Sequence, residues 1–277
     1  MGIYFEWGLF VLTVVSGIIY LIDQRFFYKQ RVARARADIA DFDSLSKKAK
    51  EEAIKAPLLA DYSRSLFSVF LIVFLIRSFL VEPYIVPSGS MLPTIQLGDF
   101  VLVSKFSYGI RLPFVGTKVI PIGEPHTGDI AVFKDPANPQ VSLIKTIIGT
   151  PGDRISYINK QLYINDRPVP QTLIETTTEP NNANLGSTAV KEYHSIIGIK
   201  SHNIFNAPAI PATDFKDLVV PKGEYFMMGD NRDNSDDSRM WGFAPEQGFT
   251  GRAWVIFFSW DSTTHSVRFH RIGTLLP

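Results

Sequence analysis

Two apolar segments near the N-terminus constrain the fold of this 277-residue chain more than any other feature. The first covers residues 3–22, which as a helix of about 1.5 Å per residue crosses a hydrocarbon core of roughly 30 Å. It lacks the basic start and the small-residue cleavage site of a removable leader, so we predict a retained membrane helix over residues 1–22. The second covers residues 66–81 and carries Arg77 near its end, and here we predict a membrane helix over residues 65–81. A buried helix of a soluble domain is the alternative for this second segment.

The segment between them, residues 23–64, is polar and rich in Lys, Arg and Ala, a composition that favours helical stretches. One interpretation is a soluble helical hairpin. Between two membrane helices, however, an excess of Lys and Arg is typical of a cytoplasmic loop. This arrangement predicts that the N-terminus and residues 82–277 lie on the outer side of a membrane.

From residue 82 onward the pattern changes to short β-branched and aromatic runs, which predict β-strands. The clearest runs are at residues 100–103, 130–133, 141–148, 155–158, 161–164, 224–228 and 251–260. Asn159 and Lys160 separate two of these runs and predict a hairpin. The predicted fold is therefore mostly β: two N-terminal transmembrane helices followed by a two-lobed antiparallel β domain. We expect residues 171–220 to combine strands with long loops.

Composition excludes several classes of function. The chain has no cysteine, which removes disulfides, thiolate metal sites and a cysteine nucleophile. Its net charge of +1 gives no indication of a nucleic-acid partner. The five histidines show no H-E-x-x-H pairing, and Ser235 stands where a calcium loop starting at Asp230 requires glycine. We predict no metal and no cofactor.

A short stretch at residues 87–93, Pro-Ser-Gly-Ser-Met-Leu-Pro, is the first candidate for chemistry. Each proline fixes its own φ and disfavours helix for the residue before it. A stiff turn of this kind suits a nucleophilic serine. The alternative is an ordinary surface turn.

Lys145 is the second candidate, because it lies within an apolar run that predicts a buried strand. Side chains alternate along a strand, so Leu143, Lys145 and Ile147 share one face. Loss of hydration disfavours the charged form of a lysine, and this is how a lysine becomes a general base near neutral pH. The alternative is an edge-strand lysine whose ammonium group reaches solvent.

Taken together, four motifs in one order resemble those of bacterial type I signal peptidases, the Ser/Lys leader peptidases. The motifs are SGSMLPT at 88–94, GD at 98–99, Lys145 with GTPGD at 149–153, and GDNRDNSDDSR at 229–239. The resemblance implies a mostly β catalytic domain over residues 82–277. Its catalytic lobe would comprise about 82–108, 126–152 and 224–277, and an inserted β lobe about 153–223. One departure is Thr146, where many relatives carry a basic residue, which puts the ion pair of that residue in doubt here.

The resemblance also assigns roles. Ser90 is implied as the nucleophile and Lys145 as its base. The oxyanion hole would consist of the Ser90 N–H and the Ser88 hydroxyl. Residues implied to orient the lysine and support the site are Ser235, Asp237 and Arg239.

The implied substrates are secretory precursors with signal peptides, cleaved after a small residue at −1 with another small residue at −3. Residues that match positions lining the two pockets are Tyr84, Val86, Met91, Val101, Val132, Leu143 and Ile144. The implied location is the bacterial inner membrane, with the catalytic domain on the periplasmic side. Ser90 follows Val81 by nine residues, at most about 30 Å of extended chain, so it is tethered near the bilayer that holds its substrates.

Three alternatives remain. A Ser-His-Asp hydrolase would need a histidine beside the serine, and none of the five lies near the serine motif in sequence. A non-enzymatic membrane-anchored assembly or receptor protein would use Ser90 only as a turn residue. A self-cleaving repressor-type Ser/Lys protease would need a DNA-binding segment in place of the apolar helices.

Overall fold

A computed structural model describes residues 2–179 and 188–277 of the chain. It separates into two units, Met1–Ser78 and Phe79–Pro277. The first unit is helical and the second is almost entirely β.

The first unit is built on two long apolar helices that pack against each other. Its α-helices are α1 Gly2–Ile22, α2 Tyr28–Asp38, α3 Lys47–Ala53 and α4 Leu58–Leu75. A π-helical turn, Asp23–Phe27, joins α1 to α2, and another, Ile76–Leu80, follows α4. In the α1–α4 contact the ring of Tyr20 stacks on that of Phe67 at 6.0 Å. Both helices are long and apolar enough to cross a membrane, as predicted.

The ends of these helices differ from the prediction. Helix α4 begins at Leu58 instead of residue 65, because Pro57 occupies its N-cap and the helix starts directly after it. The first helical run does not end at Ile22 but continues to Asp38 through good helix formers. Hydrophobicity marks the membrane-spanning part of a helix, whereas its ends are set by caps and propensity.

The second unit contains short antiparallel strands in four sheets. In chain order they are β1 Val81–Ile85, β2 Asp99–Ser104, β3 Ile110–Arg111, β4 Lys118–Ile120, β5 Ile130–Lys134, β6 Ser142–Gly149, β7 Arg154–Ile158, β8 Gln161–Ile164, β9 Arg167–Pro168, β10 Gln171–Glu179, β11 Thr188–Ile197, β12 Lys200–Asn206, β13 Phe215–Val219, β14 Glu224–Met228, β15 Ala244–Pro245, β16 Phe249–Asp261, β17 Ser266–Val267 and β18 Thr274–Leu275. A single helical turn, α5 Ser238–Trp241, lies between β14 and β15. The mostly β antiparallel fold is as predicted.

The largest sheet has nine strands in the order β1-β2-β16-β5-β6-β14-β15, with β17 and β18 paired to β16. Alternate residues of β5 enter different hydrophobic clusters, as strand geometry requires. Ile130 and Val132 belong to a first cluster, and Ala131 and Phe133 belong to a second. Both faces of the sheet are therefore buried at β5.

The inserted region consists of two smaller sheets, β10-β11-β12 and β13-β7-β8-β9. Asn159 and Lys160 form the predicted hairpin between β7 and β8, with φ of 49° and 65°. Strands β10 to β12 occupy much of the region 171–220, where long loops were expected. The strand pattern was weak in the sequence because β10 is mostly exposed and its residues show little alternation of apolar and polar side chains. Residues 180–187, within the region expected to combine strands with long loops, lie outside the described residues.

Strand β12 brings the inserted region to the serine stretch. Pro93 pairs with Ile204, and Phe205 pairs with Asn231. Two segments that are far apart in sequence, the serine stretch at 87–93 and the acidic run at 229–239, thus both pair with β12 of the inserted region.

Candidate active site

Ser90 lies in the loop between β1 and β2, where its backbone is held on both sides. The residue is 8% exposed. The Asn231 N–H donates to the Ser90 carbonyl at 3.1 Å, and Asn231 Nδ2 donates to the Gly89 carbonyl at 3.1 Å. Since one residue binds two successive carbonyls, the peptide preceding and the peptide following Ser90 are both fixed.

Lys145 reaches Ser90 from β6. The strand is central, with β5 on one side and β14 on the other, so the edge-strand alternative does not apply. Lys145 is 4% exposed, and its Nζ lies 2.6 Å from Ser90 Oγ. A protonated amine donates in this contact, and a neutral amine accepts the Ser90 hydroxyl proton.

Burial lowers the pKa of Lys145 from 10.5 to about 8. The carboxylates of Asp237, Asp236 and Asp230 oppose this by favouring the ammonium form, whereas Arg239 adds to the lowering. Desolvation outweighs the three carboxylates, and the amine is neutral in an appreciable fraction of molecules near neutral pH.

Asp237 and Arg239 form a buried pair next to this site. Arg239 Nη2 lies 2.8 Å from Asp237 Oδ2 and Arg239 Nε lies 2.8 Å from Oδ1. The same carboxylate accepts the Gly229 N–H at 3.0 Å. A Cβ at Gly229 would lie 2.4 Å from the Ser90 carbonyl oxygen and 2.2 Å from Ser235 Oγ, so only glycine fits between them.

The two accessory serines are placed differently from each other. Ser88 is exposed, with its Oγ 3.5 Å from Ser90 Oγ. Ser235 Oγ is buried and has no hydrogen-bond partner among the described residues, so it does not bond Lys145 Nζ. Its proximity to Gly229 brings it to the site, but its predicted orienting role stays a prediction.

A buried carboxylate, Asp230, lies beside the Ser90–Lys145 pair and was not predicted as a site residue. It accepts hydrogen bonds from Thr94 Oγ1 at 2.5 Å and Thr146 Oγ1 at 2.7 Å, and His202 Nδ1 lies 3.6 Å from its Oδ2. Burial alone would raise the pKa of Asp230, but contact with His202 and the two hydroxyls lowers it below its usual value. Thr146 thus contributes a neutral hydroxyl to the surroundings of Asp230.

The acidic motif at residues 229–239 connects the serine stretch to the inserted region. Asn231 Nδ2 also donates to Glu179 Oε1 at 2.7 Å, and Asn234 Nδ2 donates to the same oxygen at 2.8 Å. Lys160 pairs with Asp233 at 2.7 Å. Glu179 and Lys160 both come from the inserted region, and no sequence signal near the serine stretch indicates them.

Of the seven apolar residues proposed to line pockets, six lie together. Tyr84, Val86, Met91, Val101, Val132 and Ile144 belong to or pack against the first cluster, while Leu143 packs against the second. Four of the seven, Val86, Met91, Val101 and Val132, are buried in the core. Tyr84, Leu143 and Ile144 keep part of their surface open to solvent.

Comparison with known proteins shows which family this chain resembles over most of its length. The family model described as "Signal peptidase, peptidase S26" matches residues 59–260. A signal peptidase I of Pseudomonas fluorescens is 40% identical, with 99% of this chain and 100% of that protein covered. The signal peptidase I of Pseudomonas aeruginosa is 38% identical over the same shares. A solved signal peptidase I from Enterococcus faecalis is 29% identical and covers 47% of this chain, with a TM-score of 0.29.

Proposed function

This chain belongs to the signal peptidase family, peptidase S26, and from that premise we propose that it cleaves signal peptides from secretory precursors with a Ser90–Lys145 dyad. The observation that carries the dyad is the 2.6 Å contact between Ser90 Oγ and a buried lysine amine. A serine hydroxyl is a weak nucleophile and needs a base within hydrogen-bond reach.

The chemistry follows from the protonation state of Lys145. A neutral amine accepts the Ser90 proton as Oγ attacks the scissile carbonyl carbon. The ammonium then gives this proton to the departing amine, leaving an ester between Ser90 and the signal peptide. The neutral Lys145 amine next takes a proton from water as the water oxygen attacks the ester carbon. The ammonium then returns this proton to Ser90 Oγ as the carbon–oxygen bond breaks, which releases the signal peptide as a carboxylate and regenerates the serine.

The negative charge that develops on the carbonyl oxygen needs donors placed in advance. Two groups would donate hydrogen bonds to this oxygen, the Ser90 N–H and the Ser88 hydroxyl. Among the described residues the Ser90 N–H donates to no other acceptor, and Asn231 fixes the peptides on either side of it. Each such donor is worth about 3 kcal/mol of barrier.

Specificity for small residues is part of the same proposal. The partly exposed side chains of Tyr84 and Ile144 would form accessible walls of the −1 and −3 pockets, backed by the buried first cluster. Leu143, which packs against the second cluster, would add a further wall. Shallow pockets with bulky, well-packed walls exclude large side chains by overlap.

The experiment for this function uses the purified full-length chain in detergent with a secretory precursor. We expect one cut, after a small residue at −1, identified by the mass of the released mature protein. A matched precursor with Phe at −1 should stay intact. Cleavage of both precursors at the same rate would refute the pocket proposal, and cleavage of neither would refute the function.

The alternatives predict other results. In the described part of the chain no histidine hydrogen-bonds to Ser90 Oγ, so a Ser-His-Asp triad has no geometric support. A non-enzymatic receptor or assembly protein would bind the precursor without cutting it. A repressor-type protease would cut only its own chain.

We also propose that the chain spans the inner membrane twice, with residues 82–277 in the periplasm. The support is the pair of apolar helices and the Lys- and Arg-rich segment at 23–64 between them. Protease added outside spheroplasts should digest within 82–277 and spare 23–64. If the added protease digested residues 23–64 and left residues 82–277 intact, the orientation in the membrane would be the reverse of the one proposed.

A further inference from the structure

We infer that His202 is a positioning residue of the active site, whose imidazolium supplies the positive charge that balances the buried Asp230 carboxylate beside Lys145. The inference rests on the proposed function for its link to catalysis. His202 belongs to β12 in the inserted region and touches neither Ser90 nor Lys145 through any hydrogen bond in the described residues.

The hydrogen bonds of His202 determine which of its ring nitrogens carry protons. His202 is 1% exposed, and its Nε2 lies 2.9 Å from the Gly128 carbonyl oxygen. A carbonyl oxygen only accepts, so Nε2 carries a proton. The other nitrogen, Nδ1, is buried and has no hydrogen-bond partner among the described residues, and Asp230 Oδ2 lies 3.6 Å from it, within ion-pair distance.

Asp230 is ionised in this arrangement. It is fully buried, and its contacts hold its pKa below the usual value. The Thr146 hydroxyl lies 2.7 Å from its Oδ1, and Thr94 Oγ1, which also lies 3.1 Å from the Asn203 carbonyl oxygen, lies 2.5 Å from its Oδ2. The two separations from the carboxylate oxygens are typical of a hydroxyl donating to a charged oxygen, about 2.5–2.7 Å. An unprotonated Nδ1 would then point its lone pair at a carboxylate, so Nδ1 carries a proton as well and the ring is cationic.

The charged residue next to Gly128, whose carbonyl His202 contacts, is already paired. Gly128 is followed by Asp129, whose carboxylate pairs with Lys200 and Arg252. On β11 the residue opposite His202 is the neutral Ser195. Thr94 and Thr146, the other contacts of Asp230, are neutral. Among the described residues no Lys or Arg forms an ion pair with Asp230, and His202 is left as its counter-charge.

This counter-charge bears on catalysis through Lys145. The Asp230 carboxylate raises the pKa of Lys145 and so favours the ammonium form, which cannot act as a base. A cationic His202 offsets the field of Asp230 at the lysine. Through His202 the inserted region therefore contributes a positive charge that keeps the pKa of Lys145 low, which the neutral Thr146 cannot do.

The test is the pH dependence of kcat/KM for precursor cleavage by the full-length chain in detergent. His202→Gln keeps a donor for Gly128 but removes the charge. We expect its rising limb to move to higher pH by about half a pH unit or more, with cleavage approaching the wild-type rate on the alkaline plateau. Adding Thr146→Lys to His202→Gln should return the limb toward its original position, because a cation again faces Asp230.

His194→Gln is the matched control, since His194 is an exposed histidine on the neighbouring strand β11. The rising limb of the kcat/KM profile should lie at the same pH in this variant as in the wild type. An unchanged limb in folded His202→Gln, or loss of cleavage at every pH, would overturn the inference. If His202→Gln does not fold, the comparison is between Asp230→Asn alone and Asp230→Asn with His202→Gln. Without the carboxylate the buried ring has no counter-charge to hold a proton on Nδ1, so the two rising limbs should coincide, and a further shift in the double variant would overturn the inference.

The charge itself is measured without any substrate. In the full-length chain with ¹⁵N-labelled histidine, both ring nitrogens of His202 should carry protons at pH 7, and His202→Gln identifies the signal. A neutral ring would overturn the inference even if cleavage proceeds as proposed. Conversely, a cationic ring in a chain that cuts no precursor would leave the charge pair standing and reject only its link to catalysis.

Discussion

Replacing Ser90 with Ala is expected to lower kcat/KM for precursor cleavage by roughly 10⁴-fold or more, because the variant lacks the hydroxyl that contacts the Lys145 amine and would form the ester intermediate. The fold should survive, since the site holds Ser90 by its backbone. The carbonyl that binds the Asn231 N–H remains in the variant, and so does the Gly89 carbonyl. The measurement is cleavage of a secretory precursor by wild-type and variant full-length protein in detergent, with circular dichroism to establish folding.

Ser262→Ala is the control for this experiment, because Ser262 is an exposed serine just after β16. It should cleave like the wild type. A folded Ser90→Ala protein that retains wild-type cleavage would remove Ser90 from the mechanism and return it to the role of a turn residue.

Replacing Lys145 with Met should end catalysis and at the same time stabilise the protein. The variant loses the base for Ser90, for which we expect at least about a thousandfold loss in kcat/KM. Met fills a similar volume without a charge to bury. The buried lysine would therefore lower the stability of the folded protein while it serves catalysis, as residues of active sites commonly do.

The stability effect has a definite sign and pH window. The pKa of Lys145 is about 8 in the folded protein, against 10.5 for a fully solvated lysine, so the unfolded chain binds the proton more tightly. The resulting destabilisation is complete below about pH 8. It shrinks as the pH rises from about 8 to 10.5, and it is absent above 10.5, the pKa of the lysine in the unfolded chain. After allowance for the lost contact with Ser90, Lys145→Met should raise the free energy of unfolding at pH 7 by about 2 kcal/mol.

Denaturant midpoints of the two full-length proteins at pH 7 and above pH 10.5 measure this difference. Lys134→Met is the control, because Lys134 is an exposed lysine on the neighbouring strand β5, and its midpoint should stay near that of the wild type. A Lys145→Met protein with a clearly lower midpoint at pH 7 would mean that the lysine is a stabilising charge.

Local sequence patterns were sufficient for the parts of the site that depend on one strand or one turn. Alternation in β6 predicted the buried face that carries Lys145, and Asn159-Lys160 predicted the turn between β7 and β8. The two apolar segments predicted helices, but their ends depend on caps and propensity, which is why α4 starts at Leu58.

Contacts between distant segments were not predictable in this way. Glu179 and His202 reach the site only because β12 pairs with the serine stretch and the acidic run, a packing that no local pattern reveals. Asp230 was visible within a motif, yet its burial and its partners follow from the tertiary structure. Ser235 shows the reverse: the motif implied that it orients Lys145, but in the structure its hydroxyl lies beside Gly229 and has no hydrogen-bond partner in the described chain.

The most direct test of the central claim, that neutral Lys145 is the base for Ser90, is the pH profile of kcat/KM for precursor cleavage by the wild-type full-length protein. The rising limb reports the pKa of the essential base in the free enzyme. The structure predicts a limb with an apparent pKa of about 8, set by burial of Lys145. A limb near 10.5, the value for an exposed lysine, would contradict the claim.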